Sequence, residues 1–355
     1  MRLPEQHSAY IPPLATAPAL RTLVDLLLSG VRAIAAEQTR TGEIPSYKRE
    51  ANHALAYRRT LLISTFVDDA LADFDLSSRE LNTRLLDMIP AAARRDFFDT
   101  VRRIRRGIRS FIAWQEEPLG TWRFFGRGSG ILPDAGSIAG AARVLLDPRG
   151  KAQPGAYWQR HADALARFRS PQGVYFTFLA PGGAGYGWYE PDGRPVAGHD
   201  ALINALVVDY LAMVGGIEEQ TLAYLQDAVR QGEALAGTAN IPNPVAACYL
   251  LARVWRRASL PGLDAIKTPI LAQLLARQQP DGGFGGPLST AMALSAWLDL
   301  GYQGAAIDSA GAALARSSLP NGGWHCEDFV VDGYGSPAWT TALALSMLTR
   351  CEGEA

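Results

Sequence analysis

Nothing gives this chain of 355 residues a charged character. Its 34 basic and 35 acidic side chains leave a formal net charge of −1. That balance argues against a general binder of nucleic acid or other polyanions, and no nucleic-acid partner is expected. Cysteine is scarce. The three present (Cys248, Cys326, Cys351) are odd in number and scattered, which suits reduced thiols and excludes a disulfide framework. There is no run of about eighteen apolar residues of the kind that spans a bilayer. There is also no charged-then-apolar leader: residues 1–18 carry Glu5, His7 and four prolines. A cytoplasmic protein is expected, with peripheral membrane contact left open because one apolar patch is invisible in composition.

What is present is a repeat. Residues 278–284 read Gln-Gln-Pro-Asp-Gly-Gly-Phe, and residues 318–324 read Ser-Leu-Pro-Asn-Gly-Gly-Trp. Each segment follows an apolar helical run and precedes a helix rich in Ala, Leu, Ser and Thr. Weaker copies lie at 38–44, 115–122 and 169–176, and around 238–244 only a turn signal remains. The unit is helix, glycine-aromatic turn, helix. One such pair cannot bury its apolar face alone, so neighbouring pairs must complete the core. Six pairs are expected, at about 18–79, 100–148, 157–215, 218–259, 264–302 and 305–350. They form a single domain over 18–350, between an N-terminal arm (1–17) and a short tail (351–355). The second helix of each strong repeat is poor in charge, as a helix buried on both sides should be.

These glutamine-glycine-aromatic repeats resemble those of the squalene-hopene cyclase and terpenoid cyclase superfamily, whose toroid is shared with protein prenyltransferase β subunits. The resemblance implies an all-α (α/α)6 toroid with two concentric rings of helices. The inner helices would line a central cavity, and their N-termini would gather at its mouth. It also implies a chemistry, the acid-initiated cyclisation or isomerisation of an isoprenoid or other polyene, started by a carboxylic acid kept protonated.

In the family that acid is the middle residue of an Asp-any-Asp-Asp pattern. Two segments match it in part. Residues 132–139 read Leu-Pro-Asp-Ala-Gly-Ser-Ile-Ala: they keep Asp134 and have Gly136 and Ser137 where the acid pair should stand. Residues 66–70 read Phe-Val-Asp-Asp-Ala: they keep Asp68 and Asp69 and have Phe66 in place of the first aspartate. The second match gives Asp68 the donor position, with Asp69 tuning it. Both lie in an apolar helical stretch, where desolvation raises a carboxyl pKa. A structural ion pair with an arginine such as Arg58 or Arg59 is the competing reading. Asp134 and Asp200 each precede a helix and suit N-capping. Asp134, Asp200, Asn243, Ser289 and Ser336 also occupy the same place in successive repeats, so a toroid would bring them to one rim.

Aromatic residues cluster at the turns and inner helices. Phe66, Trp122, Phe125, Tyr175, Trp188, Phe284, Trp324, Tyr334 and Trp339, with His199 and Asp200, are the candidate substrate-binding residues. Aromatic faces can stabilise a carbocation, although residues inside repeat turns (Trp122, Phe284, Trp324) equally suit wedging helices together. The glycine-rich loop at 181–189 carries Tyr186, Trp188 and Tyr189 and suits a lid or cavity rim. His325 and Cys326 form a soft metal corner, but two adjacent ligands do not make a zinc site, and the aspartate-cysteine pair of prenyltransferases is missing before Ala291. No metal or other cofactor is expected. Arg94, Arg95, Arg102, Arg103, Arg105, Arg106 and Arg109 form a basic stretch. It reads either as a solvated outer helix or as a diphosphate clamp. Besides the cyclase reading, the residues admit a same-fold enzyme of different chemistry, a non-catalytic toroid binding an apolar ligand or partner, and a prenyltransferase β-like subunit.

Overall fold

The repeat turns explain the architecture. In a computed structural model describing residues 17–50, 54–76, 89–146, 155–179, 184–189, 195–258, 263–330 and 333–353, the described residues form twelve α-helices in six consecutive pairs. They are α1 (Ala17–Glu37) with α2 (Leu61–Leu76), α3 (Ala91–Trp114) with α4 (Ala135–Leu145), and α5 (Gly155–Ala166) with α6 (Ala201–Val214). Then follow α7 (Glu219–Arg230) with α8 (Pro244–Ala258), α9 (Asp264–Arg277) with α10 (Pro287–Asp299), and α11 (Ala305–Arg316) with α12 (Pro337–Gly353). The fourth pair, announced in sequence by little more than a turn, is present. The last helix runs past the boundary expected at 350.

Even-numbered helices pack side by side in the order α2, α4, α6, α8, α10, α12 and back to α2, which closes a ring. Odd-numbered helices lie outside it, and α1 closes the seam by packing on α12 and α3. Burial follows this division. Ten successive residues of α8 (245–254) and twelve of α10 (288–299) are buried, as helices enclosed on both sides must be. Outer α7 instead buries one stripe, Thr221, Leu225, Ala228 and Val229, at helical spacing.

In two repeats the glutamine ties its pair to the next. Gln278 Nε2 donates to Gly282 O (3.0 Å) and to Ala306 O at the start of α11 (2.9 Å). Gln38 repeats this with Gly42 O and Ile104 O of α3, both at 2.9 Å. Trp122 and Trp324 each donate Nε1 to a carbonyl of the preceding outer helix, Ile112 O and Leu314 O, both at 2.9 Å. Gly282 is required twice over. Its φ is +89°, and a Cβ there would lie 2.4 Å from Ser309 O of the next outer helix. Gln278→Ala strands two buried or half-buried carbonyls and should destabilise the fold by about 1–3 kcal/mol. A denaturant midpoint moved by less than this, at unchanged slope, would count against the strut.

Strand content is small. β1 (Ser46–Arg49) and β2 (Leu55–Arg58) form a hairpin, followed by β3 (Phe178–Leu179), β4 (Gly185–Tyr186), β5 (Trp188–Tyr189) and β6 (Pro195–Val196). β7 (Asp328–Val330) and β8 (Tyr334–Gly335) join the first hairpin in a sheet of order β2-β1-β8-β7, antiparallel throughout, with Tyr47 opposite Gly335. These pieces lie in the segments leading into the inner helices and decorate the end of the ring where those helices begin. No helix among the described residues is long and apolar enough to cross a membrane.

Candidate active site

The inner helices start at one end of the ring, and their first residues are polar. Asp134 caps α4, its carboxylate accepting from the Ser137 amide at 2.7 Å. Asp200 caps α6 through the Leu202 and Ile203 amides (2.9 and 3.1 Å). Asn243 accepts from Val245 N of α8 (2.8 Å) and donates to Ser289 Oγ at the start of α10 (3.0 Å). Glu327 caps α10, accepting from the Leu288 amide (2.8 Å) and from the Ser289 hydroxyl. Ser336 precedes α12 and is buried. The five positions expected to converge do share this mouth.

Aromatic rings border it. On the side of α2 and α4, Phe124 and Phe125 meet edge to face (4.9 Å), and both contact Tyr334 (6.0 and 5.5 Å). On the side of α6, His199 stacks on Phe176 at 4.5 Å and Gly198 lies against Trp188. Asn240 ties this wall together by donating Nδ2 to Asp200 Oδ2 (2.8 Å) and to Gly187 O (3.0 Å). Burial holds the His199 imidazole below its ordinary pKa, so it is neutral at physiological pH. Of the glycine-rich loop, residues 181–183 lie outside the described residues; 184–188 belong to this wall.

Asp134 is, with Glu327, a rim carboxylate that burial raises with no cation beside it. Its amide donates to Trp122 O (3.2 Å), and its backbone pairs with Phe178, so it is wedged between two turns. Oδ1 is engaged by the cap, while Oδ2 is buried and accepts no well-aligned hydrogen bond. No cation contributes to its field. Burial pushes the carboxyl up to about 6, against the smaller pull of the Ser137 donors and the Phe124 amide.

The setting expected for Asp68 and Asp69 is corrected. Asp68 is buried but not in an apolar pocket: Arg105 of α3 holds it through Nε (3.1 Å) and Nη2 (3.4 Å), and Arg109 lies at 3.5 Å. Arg58 and Arg59 are not its partners; Arg59 pairs with Glu43 at 3.1 Å. Asp69 sits among three guanidiniums, those of Arg143 (α4), Arg253 (2.6 Å) and Arg257 (2.8 Å) of α8, with Asp209 of α6 sharing the same arginines. Burial alone would raise its pKa, but the arginines hold it well below the carboxylate range. Most of the basic stretch is the solvated face of outer helix α3, with Arg95, Arg102, Arg103 and Arg106 exposed. Arg105 is the buried member.

The aromatic candidates divide in the same way. Phe125, Trp188, His199, Asp200 and Tyr334 lie at the mouth. Trp122, Tyr175, Phe284 and Trp324 do not: they are buried in repeat turns, Trp122 and Trp324 by their Nε1 bonds and Tyr175 by backbone bonds to the Asn204 side chain (2.8 Å each). Phe284 packs on Trp297 at 5.4 Å. Trp324 lines a separate cavity of about 330 Å³ at the seam between α1 and α12, with His325, Cys326 and Glu37. Burial pushes the Cys326 thiol up to about 12, and no group of three His, Cys, Asp or Glu able to hold a metal occurs among the described residues. Phe66 and Trp339 stack on each other inside the ring at 4.9 Å, with 1% and 0% exposure. Where the resemblance implies side chains lining a cavity, these rings pack on each other and on Phe329.

No family profile matches this sequence, and no curated protein does. Solved structures do match in shape. The type II terpene cyclase MstE from Scytonema superposes with a TM-score of 0.61 at 15% identity, over 94% of this chain and 98% of that one. A variant of it in complex with merosterolic acid A, its product, gives 0.64 at 16%, over 95% and 99%. The ent-copalyl diphosphate synthase from Streptomyces platensis gives 0.50 at 15%, over 83% of this chain and 50% of that one. The chain shares the fold of these terpene cyclases.

Proposed function

We propose that the protein is a terpenoid cyclase-like enzyme that cyclises or isomerises an isoprenoid at the mouth of the ring, with Asp134 as its acid. The observation that carries this reading is the Asp134 carboxyl: buried, without a cation, one oxygen unengaged, and raised to about 6. At neutral pH about a tenth of such groups carry a proton. Asp134 gives that proton to an alkene carbon of the substrate. The alkene π electrons form the new C–H bond, and the positive charge appears on the neighbouring carbon. Ring closure moves the charge along the chain past the faces of Phe124, Phe125, Phe176, Trp188 and Tyr334. Loss of a proton from the last cation leaves an alkene, and water at the mouth returns a proton to Asp134. The reaction consumes no cofactor. The shape shared with MstE supports this reading, since that protein has been captured with geranylgeranyl dihydroxybenzoate as substrate.

Gly136 and Ser137 favour a second reading. They stand where two further acids would strengthen a proton donor, and a toroid without them suits an apolar-ligand carrier. Incubation with linear isoprenoids, prenylated phenols and prenyl diphosphates, followed by mass spectrometry, separates the two. New isomers of unchanged mass support the enzyme. Stoichiometric binding with complete recovery of every ligand supports the carrier.

A further inference from the structure

The cavity at the seam is open space of about 330 Å³, at the low end for a small-molecule site. It reaches solvent, because Ala36, Asn321 and His325 on its walls are exposed. Its lining includes none of the rim caps and none of the aromatic residues that border the mouth. Small side chains make the room. Ala33 and Ala36 of α1 and Pro337 and Ala338 of α12 line it, and larger residues at those places would fill it.

Its polar groups are not equivalent. Asn321 Oδ1 and Thr341 Oγ1 accept the Gly323 and Trp324 amides at 3.0 and 3.1 Å, so they serve the repeat turn. Glu37 serves no turn. The Tyr47 hydroxyl donates to its Oε2 at 3.1 Å, and no cation pairs with this carboxylate among the described residues. Burial, with Glu37 itself, pushes the Tyr47 phenol up to about 12, so it stays a donor and steadies the carboxylate. The field at Cys326 has the same sign. Burial is the largest cause of its raised thiol, and Asp328, Glu327 and Glu37 add to it. Arg49, which opposes them, is already paired with Asp328 at 3.4 Å. A steadied carboxylate without a counter-ion, on the wall of an otherwise apolar slot, complements a cation that carries an apolar body.

We propose that the seam cavity binds a small primary amine, with its ammonium on Glu37 and its apolar body among Ala33, Ala36, Pro337 and Ala338. Tyr47 engages Oε2 and leaves Oε1 for the ammonium, which has donors to spare. A bound amine touches the first helix and the last at once. Occupancy therefore ties the two ends of the ring together and raises the unfolding temperature. The proposal draws nothing from the isoprenoid reading and stands or falls separately from it.

Cys326 supplies the reporter. Cys248 and Cys351 are buried, at 0% and 8% exposure, whereas Cys326 is half-buried and lines the cavity. Its alkylation by N-ethylmaleimide is followed by peptide mass spectrometry in the full-length protein. The probes are isoamylamine and phenethylamine, with the alcohol and the carboxylate of each, at equal millimolar concentration. At least one amine should slow the reaction by about tenfold or more and raise the melting temperature, and the alcohols and acids should do neither. Glu37→Gln keeps an acceptor for Tyr47 and should lose the protection. Each protein is compared with and without amine, because the substitution itself alters the field at the thiol. Ala33→Leu fills the cavity with the carboxylate intact and should lose the protection too. Equal protection by an alcohol would leave Glu37 idle and overturn the proposal. Protection that survives in Glu37→Gln, or none from either amine, would overturn it as well.

Discussion

Asp134→Asn should reduce turnover of any isoprenoid the protein accepts by a factor of about 10² or more, the range associated with a positioned general acid. The substitution is nearly isosteric, and asparagine caps a helix about as well as aspartate, so α4 should keep its start at the Ser137 amide. Asp68→Asn is the informative control, because Asp68 already serves Arg105 and Arg109 as an ion-pair partner. Turnover of the two variants at matched folded fraction decides the matter. Full activity in Asp134→Asn would remove it from the mechanism, and selective loss in Asp68→Asn would move the acid to the other motif.

The same residue carries a stability signature. Its folded pKa, about 6, stands above the ordinary 3.8, so the folded state holds the proton more tightly than the unfolded chain. Its contribution is therefore fully present below about pH 4 and is lost as pH rises toward 6. The linkage amounts to about 3 kcal/mol as an order of magnitude. Asp134→Asn has no such proton to lose. The difference in unfolding free energy between variant and wild type should drift in the variant's favour from pH 4 to pH 6.5. A flat difference across that window would mean that Asp134 titrates normally and is no proton donor.

Asp69→Asn should be the most destabilising single substitution of the charged network, at about 3–5 kcal/mol, because it leaves buried guanidiniums of Arg143, Arg253 and Arg257 with only Asp209 to answer them. Its pH dependence has the opposite sense to that of Asp134. A carboxyl held well below 3.8 contributes stability that is present above pH 4 and lost as pH falls through the folded pKa. Wild type should therefore lose stability in acid more steeply than Asp69→Asn. Urea titrations at pH 7 and pH 3 measure both numbers, and a loss under about 1 kcal/mol at pH 7 would show that the arginines find other partners.

The helix pairs and the rim were legible because their signals are local. Gln278 and Gly282 stand four residues apart in one recurring turn, and a cap such as Asp200 acts within one turn of its own helix. The fourth pair had no such signal, and only the room left in a closed array announced it. The partners of Asp68 and Asp69 were not legible. They depend on how α3, α4 and α8 are rotated about their axes, and Arg257 is 188 residues from Asp69. A signal did exist: Arg143, Arg253 and Arg257 are charges on otherwise bland inner helices, where burial demands a counter-charge. The apolar stretch around Phe66 is visible in sequence, but burial of a ring does not say whether its neighbour is ligand or protein.

Joining α1 to α12 has a consequence for how the chain can come apart. A linear array of repeats frays: losing its last unit uncovers one interface, and the remainder persists. Here the final pair touches both its predecessor and the first helix, with the Gly322 turn pressed against Ser29 and Gly30. Removing it uncovers two faces at once and opens a hoop, so partial unfolding from the C-terminus finds no stable resting point. The same closure delays assembly, since the contact that locks the hoop joins segments some three hundred positions apart and must wait for α12 to leave the ribosome.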